Sequence, residues 1–156
     1  MKKVLIASII IISMVAVVLA VGSISVLKEY PLAGADNKAT PLDRISYDSI
    51  HKTQDSISID IENPVIVAIA NTGSMKPTFD EGANLIEIVP KSESELHVGD
   101  IASYQRGSDV IVHRIIEIGA DENGWYAVFK GDNNPTADPG KVRFEQIRRL
   151  GVGIVY

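Results

Sequence analysis

The chain of 156 residues carries 20 acidic and 15 basic side chains, giving a formal net charge of −5 at pH 7, and it contains no cysteine. The absence of cysteine excludes a disulfide framework and thiolate metal sites. An acidic chain without a basic stripe is a poor ligand for phosphate backbones, so we expect no nucleic-acid partner.

An uncharged apolar segment runs from Val4 to Val26. It is long enough to cross a hydrocarbon core of ~30 Å as a helix, and it predicts a transmembrane anchor over residues 1–27. A cleavable signal peptide is the alternative, because Lys2 and Lys3 give a basic start and Ala20-Val21-Gly22 supplies small residues. The apolar run exceeds the roughly 7–15 residues of a signal core, which favours the anchor. The two lysines predict a cytoplasmic N-terminus and an extracytoplasmic remainder.

The residues after the apolar segment predict a mostly β protein. Residues 28–55, with Pro31, Gly34, Pro41 and scattered charges, are expected to form a linker or lead-in. From Ser56 to Ile61 polar and apolar residues alternate, which is typical of a strand with one buried face. Further strands are predicted at Val65–Ala70, Asn84–Val89, Asp100–Gln105, Val110–Ile118, Trp125–Lys130 and about Arg148–Tyr156, with a short helical turn between Val142 and Arg149. Residues 56–156 therefore predict a β domain built from coiled sheets or a partly open barrel.

A candidate nucleophile lies directly after the predicted strand Val65–Ala70, in the sequence Asn71-Thr72-Gly73-Ser74-Met75-Lys76-Pro77. Gly73 permits an unusual backbone angle before Ser74, and Pro77 prevents the strand from continuing. A serine held on such a turn suits nucleophilic attack. An ordinary turn between two strands is the alternative interpretation.

A candidate general base is His113, one of three histidines and the one that interrupts a predicted strand. The two-residue period places it on one face with Ile111 and Ile115, and it places Arg114 on the other face. Isoleucine neighbours restrict the ring and exclude water, which favours the neutral imidazole that a base requires. A structural histidine is the alternative.

The loop Lys130–Gly140 supplies candidate acids. It is longer than a hairpin needs, and loops of this kind often carry function because a rigid sheet positions them. Either Asp132 or Asp138 could accept a hydrogen bond from His113 and fix its tautomer. Asx-turn hydrogen bonding is the alternative use of these side chains. Asp132, Asn133 and Asp138 lack the ligand spacing of a calcium loop, so we expect no metal.

Serine, histidine and aspartate together are the components of a Ser-His-Asp hydrolase, provided that they converge in space. Four blocks in order also resemble type I signal peptidases, in the archaeal and endoplasmic-reticulum branch that uses histidine where the bacterial branch uses lysine. The blocks are Gly73-Ser74-Met75-Lys76-Pro77-Thr78, Val98-Gly99-Asp100-Ile101, Ile111-Val112-His113-Arg114-Ile115, and Gly131-Asp132-Asn133-Asn134 followed by Asp138. The resemblance covers residues 65 to 140, approximately.

The resemblance implies a signal-peptidase-like coiled β-sheet domain behind one transmembrane helix. It implies a membrane-bound serine endopeptidase that removes signal peptides after small residues at the −3 and −1 positions. Ser74 would be the nucleophile, His113 the base and Asp138 the acid that orients it, with Asp132 supporting the loop or sharing that role. The backbone N–H of Ser74 and the hydroxyl of Thr72 would form the oxyanion hole.

The partners that the resemblance implies are preproteins bearing signal peptides and a lipid membrane, either the cell membrane or one of endoplasmic-reticulum type. No cofactor is expected, and a need for accessory subunits is left open. Two alternatives remain. One is a lysine-dependent mechanism with Lys76 or Lys130 as base. The other is a membrane-anchored β module that binds peptides or partner proteins without catalysis.

Overall fold

The computed structural model describes residues 38–156. The predicted transmembrane anchor and the first part of the lead-in lie outside the described residues. Within residues 38–156, no helix is long and apolar enough to span a membrane. The mostly β prediction is confirmed, because strands dominate this part of the chain and its helical elements are single 3-10 turns.

The described residues form eight strands. They are β1 (Ile50–Lys52), β2 (Ile57–Ile59), β3 (Val65–Ala68), β4 (Asn84–Ile88), β5 (Ile101–Arg106), β6 (Asp109–Asp121), β7 (Gly124–Lys130) and β8 (Ile147–Val155). Short 3-10 helices occupy Tyr47–Ser49, Glu93–Glu95 and Phe144–Gln146. The last of these lies where the sequence predicts a helical turn.

The first two strands form a small antiparallel sheet of their own. The β1 strand lies within residues 28–55, the segment predicted as a linker or lead-in. The expectation of a buried face on the strand at Ser56–Ile61 is wrong, since Ile57 is 68% exposed and Ile59 is 40% exposed. The physical reason is that β2 pairs with β1 and does not join the larger sheet, where a packed face would cover its isoleucines.

The other six strands form one antiparallel sheet in the order β3-β4-β8-β5-β6-β7. Strand β8, which is last along the chain, lies between β4 and β5. It therefore joins a half made of β3 and β4 to a half made of β5, β6 and β7.

Alternating residues of β5 contribute to two apolar clusters, one on each face of the sheet. Ala102 and Tyr104 belong to the first, where Tyr104 and Phe129 pack with ring centroids 4.5 Å apart. Ile101 belongs to the second, together with Met75 and other residues of the β3–β4 connection. Burial of one such large apolar side chain contributes about 1.5–3 kcal/mol. Because each cluster contains several of them, each stabilises its own face of the sheet.

The buried carboxylate of Asp100 attaches the lead-in to the sheet. It accepts hydrogen bonds from the Leu42 backbone N–H at 3.0 Å and from Arg44 Nη2 at 2.5 Å. Beside it, Gly99 adopts φ +103°, and the backbone of Thr40 fills the space that a Cβ would need. Residues 39–44 therefore pack against the domain at a position that glycine alone can occupy.

A second buried carboxylate, Glu87, faces the same side of the sheet as Leu85 and is 1% exposed. Burial raises the pKa of Glu87 from its ordinary value of 4.5, and the Ser103 hydroxyl and the Arg149 charge offset only part of that effect. Folding therefore takes up a proton in the pH window just above 4.5. The free energy of unfolding should fall as the pH rises through this window.

We predict that Glu87→Gln raises the free energy of unfolding at neutral pH and has little effect below pH ~4, where the carboxyl is neutral in both states. Urea unfolding followed by the fluorescence of Trp125, the single tryptophan, measures this at several pH values. Glu93→Gln, at an exposed carboxylate, is the matched control. Equal effects of the two variants at every pH would contradict the prediction.

Candidate active site

Ser74 lies on the connection between β3 and β4. Gly73 before it has φ +67°, which confirms that this position needs the conformational freedom of glycine. Met75 after it is 3% exposed and packs in the second apolar cluster, so the turn is anchored from within. The Thr72 hydroxyl oxygen lies 3.2 Å from Ser74 Oγ and accepts a 3.4 Å hydrogen bond from the Ser74 backbone N–H.

His113 extends from β6 toward this turn. Its Nε2 lies 3.0 Å from Ser74 Oγ, and its Nδ1 lies 2.5 Å from Asp138 Oδ2. His113 as a whole residue is 8% exposed, as the isoleucine pattern around it predicts. His51 and His97 lie elsewhere with about half of each side chain exposed, so His113 is the one histidine that reaches the serine.

Asp138 is held at both its main chain and its side chain. Its backbone N–H donates to the Phe129 carbonyl at 2.8 Å, and its Oδ2 accepts a 2.8 Å hydrogen bond from the Tyr104 hydroxyl. Sequence reasoning missed Tyr104. The register pairs Ala102 with His113, and Tyr104 shares the face of Ala102 on β5, so aligning the two strand patterns could have found it.

Asp132 contacts Arg114 and not His113. Arg114 donates from Nε to Oδ1 at 2.8 Å and from Nη2 to Oδ2 at 2.7 Å, and Thr78 donates to Oδ2 as well. Burial alone would raise the pKa of Asp132, but the hydrogen bonds from Arg114 and Thr78 outweigh it and hold that pKa below its usual range. The two loop aspartates are therefore directed to opposite faces of β6.

The start of the same loop is packed directly on the serine turn. Asn133 donates from its backbone N–H to the Ser74 carbonyl at 2.8 Å and from Nδ2 to the Gly73 carbonyl at 3.1 Å. A Cβ on Gly131 would lie 2.7 Å from the Ser74 carbonyl oxygen. Asp132, Asn133 and Asp138 thus have separate hydrogen-bond partners.

A cleft of about 400 Å³ opens beside Ser74 and His113. Its walls are the end of β3 with the residues after it, Val67–Ala70, and the segment Val110–Val112 of β6. Met75 and Phe79 contribute apolar surface, and Asp80 contributes a carboxylate. The cleft can accommodate a mainly apolar segment against the serine.

The two lysines considered as alternative bases lie in other surroundings. Lys76 Nζ forms an ion pair with Asp80 Oδ2 at 2.6 Å, and its hydrogen bond to that carboxylate raises the pKa of Lys76, which keeps the amine protonated. Lys130 lines a different cavity, together with Lys38 and Val98. Lys76 is therefore held as a cation, and Lys130 lines a cavity other than the one beside Ser74.

The site is a serine, a histidine and an aspartate hydrogen-bonded in series on a β domain, an arrangement that can deprotonate the serine and stabilise the imidazolium that forms. Signal peptidases are among the known proteins with similar sequences. The chain is 33% identical over 85 residues to signal peptidase I W of Bacillus subtilis (strain 168). It is 36% identical over 88 residues to the signal peptidase complex catalytic subunit SEC11 of Chaetomium globosum, and 37% over 82 residues to that of Dictyostelium discoideum.

These three matches cover 53%, 53% and 51% of this chain and 44%, 48% and 44% of the relatives. The chain thus spans about half the length of the curated relatives it matches. The resemblance to signal peptidases is confirmed. No protein-family model matches the chain. No solved structure matches it significantly.

We predict that Gly131→Ala lowers the reactivity of Ser74 toward a serine-directed phosphonylating reagent by about tenfold, because the added methyl group displaces the Ser74 carbonyl and a 1 Å misplacement is enough for such a loss. Labelling rates measured by mass spectrometry test this. Gly153→Ala is the matched control, since its Cβ would meet Ile86 at an ordinary 3.4 Å. Unchanged labelling in Gly131→Ala would show that the loop does not position the serine.

Proposed function

We propose that this chain is a membrane-bound serine endopeptidase that removes N-terminal signal peptides from exported preproteins. The observation that carries the proposal is the hydrogen-bonded series from Ser74 Oγ through His113 to Asp138, with separations of 3.0 and 2.5 Å. Similarity to proteins named signal peptidases supports the same conclusion.

In the proposed mechanism, His113 takes the proton of Ser74 as the hydroxyl attacks the scissile carbonyl, and then gives it to the leaving amine. Asp138 fixes the tautomer through Nδ1 and stabilises the imidazolium. The contacts of Asp132 with Arg114 support a different role for that residue, which is to hold the loop that carries Asp138.

The oxyanion would be met by the Ser74 backbone N–H and the Thr72 hydroxyl. These groups already lie together, with the N–H directed at Thr72 Oγ1. In the proposed complex the Ser74 N–H turns from Thr72 Oγ1 to the substrate oxygen. That oxygen then accepts hydrogen bonds from both the Ser74 N–H and the Thr72 hydroxyl. The apolar lining of the cleft supports a preference for uncharged residues before the scissile bond.

The proposed location is a cell membrane or a membrane of endoplasmic-reticulum type, crossed once by residues 1–27, with the β domain on the extracytoplasmic side. A preprotein presents its cleavage site at the same surface. Confinement of both to one membrane raises their effective concentration, so tight binding in the cleft is not required. Comparing preprotein cleavage by the purified chain with cleavage by whole membranes tests whether accessory subunits take part.

We expect Ser74→Ala and His113→Ala to abolish preprotein cleavage in membranes, and Asp138→Ala to reduce it on the order of 10⁴-fold, since the tautomer is no longer fixed. Asp132→Ala should cost less activity per folded molecule but should lower stability, because it leaves Arg114 buried without a carboxylate. Asp109→Ala, at an exposed strand end, is the matched control.

Full activity in Ser74→Ala would exclude Ser74 as the nucleophile and end the serine-peptidase proposal, whereas no cleavage by the wild-type chain would leave the non-catalytic peptide-binding module. A greater loss of activity in Asp132→Ala than in Asp138→Ala, at equal amounts of folded protein, would exchange the proposed roles of the two aspartates.

The pH dependence separates histidine from lysine as the base. We expect kcat/KM to decline as the pH falls through ~6.5, where an imidazole ordinarily gains its proton. Cleavage of a synthetic signal-peptide substrate between pH 4.5 and 9 measures the profile, with circular dichroism at each pH to confirm that the protein stays folded. A profile that stays flat well below pH 6 would exclude His113 as the base.

A further inference from the structure

We propose that Tyr104 is a positioning residue for the His113–Asp138 pair, with its hydroxyl proton fixing the orientation of the Asp138 carboxylate and limiting how strongly that carboxylate attracts the imidazole. The inference deepens the proposed function and rests on it.

The geometry places two donors on one oxygen atom. Asp138 Oδ2 accepts from the Tyr104 hydroxyl at 2.8 Å and lies 2.5 Å from His113 Nδ1. Tyr104 and His113 come from adjacent paired strands, β5 and β6, on the same face of the sheet. The carboxylate therefore cannot rotate without breaking a contact to one strand or the other.

The ring of Tyr104 is rigidly held. Tyr104 is 1% exposed, and its ring packs on Phe129 with an interplanar angle of 35°. The carbonyl of that same Phe129 accepts the Asp138 backbone N–H at 2.8 Å. One aromatic pair thus fixes both the backbone and the side chain of Asp138.

The hydroxyl remains a donor throughout the working pH range. Burial raises the pKa of Tyr104, and the hydrogen bond to Asp138 raises it further, against a smaller opposing effect of Arg106. The charged and titratable groups facing this cluster are His113 on β6, Asp138 on the loop after β7 and Arg106 at the end of β5. Asp80 lines the same cleft as His113.

A hydrogen bond donated to a carboxylate stabilises its charge and makes it a weaker acceptor toward a second donor. When the tyrosine hydroxyl is removed, Asp138 should hold the imidazolium more strongly and should also sample more orientations. The first effect favours protonated His113, and the second lowers the fraction of molecules with the serine, histidine and aspartate aligned.

The test compares Tyr104→Phe with Tyr126→Phe. Tyr126 is the matched control because its hydroxyl also donates to a carboxylate, Glu117 Oε1 at 2.9 Å, at an exposed part of the sheet. We expect kcat of Tyr104→Phe to fall about tenfold with little change in KM. The midpoint of the acidic limb of the profile should move upward by on the order of half a unit. Tyr126→Phe should match the wild-type chain in kcat, in KM and in the midpoint of the acidic limb.

A second readout is independent of cleavage. The chain has three histidines, so NMR titration of the imidazole signals, assigned with His51→Gln and His97→Gln, follows His113 in the full chain in detergent micelles. An upward shift of the His113 titration midpoint in Tyr104→Phe, with none in Tyr126→Phe, supports the positioning role. This result would stand even if the wild-type chain cleaved no preprotein, and in that case only the peptidase proposal would fail. Unchanged titration and an unchanged profile in Tyr104→Phe would overturn the inference.

Discussion

The ion pair between Arg114 and Asp132 is the contact on which the site depends. Both side chains are buried, at 8% and 2% exposure, and the guanidinium binds the carboxylate through two nitrogens. A buried pair of this kind need not add net stability, because desolvation of both charges offsets their attraction. Its effect is positional. It fixes the start of the loop that carries Asn133 against the serine turn and Asp138 against the imidazole.

Consecutive residues of a strand face opposite sides of the sheet, and this explains why the loop needs two acids. His113 and Arg114 are neighbours on β6, so one carboxylate cannot serve both. Arginine stays charged at every accessible pH, so the ion pair of Arg114 with Asp132 does not depend on pH through the guanidinium. Histidine works by exchanging a proton, and its own carboxylate is kept aligned on Nδ1 by the Tyr104 hydroxyl.

Much of this arrangement was predictable from residue patterns. Alternation located the large-sheet strands to within one or two residues at most ends, and it placed His113 with Ile111 and Ile115. Residue patterns alone left the partner of His113 open between Asp132 and Asp138, because loop spacing does not say which aspartate reaches which face of β6, and the family resemblance implied Asp138. Tyr104 was missed because its hydroxyl acts through Asp138, and the exposure of β2 was missed because alternation predicts a strand but not what covers it.

The position of β8 in the sheet has a consequence for biosynthesis. The turn with Ser74 belongs to the half of the sheet made of β3 and β4, while His113 belongs to the half made of β5, β6 and β7, and β8 joins the two halves. Because β8 is the last of these strands to be synthesised, the sheet closes late and through contacts distant in sequence. A chain that lacks β8 would join the two halves through side-chain packing and loop hydrogen bonds, such as those of Asn133 to the serine turn, without a continuous backbone ladder between them.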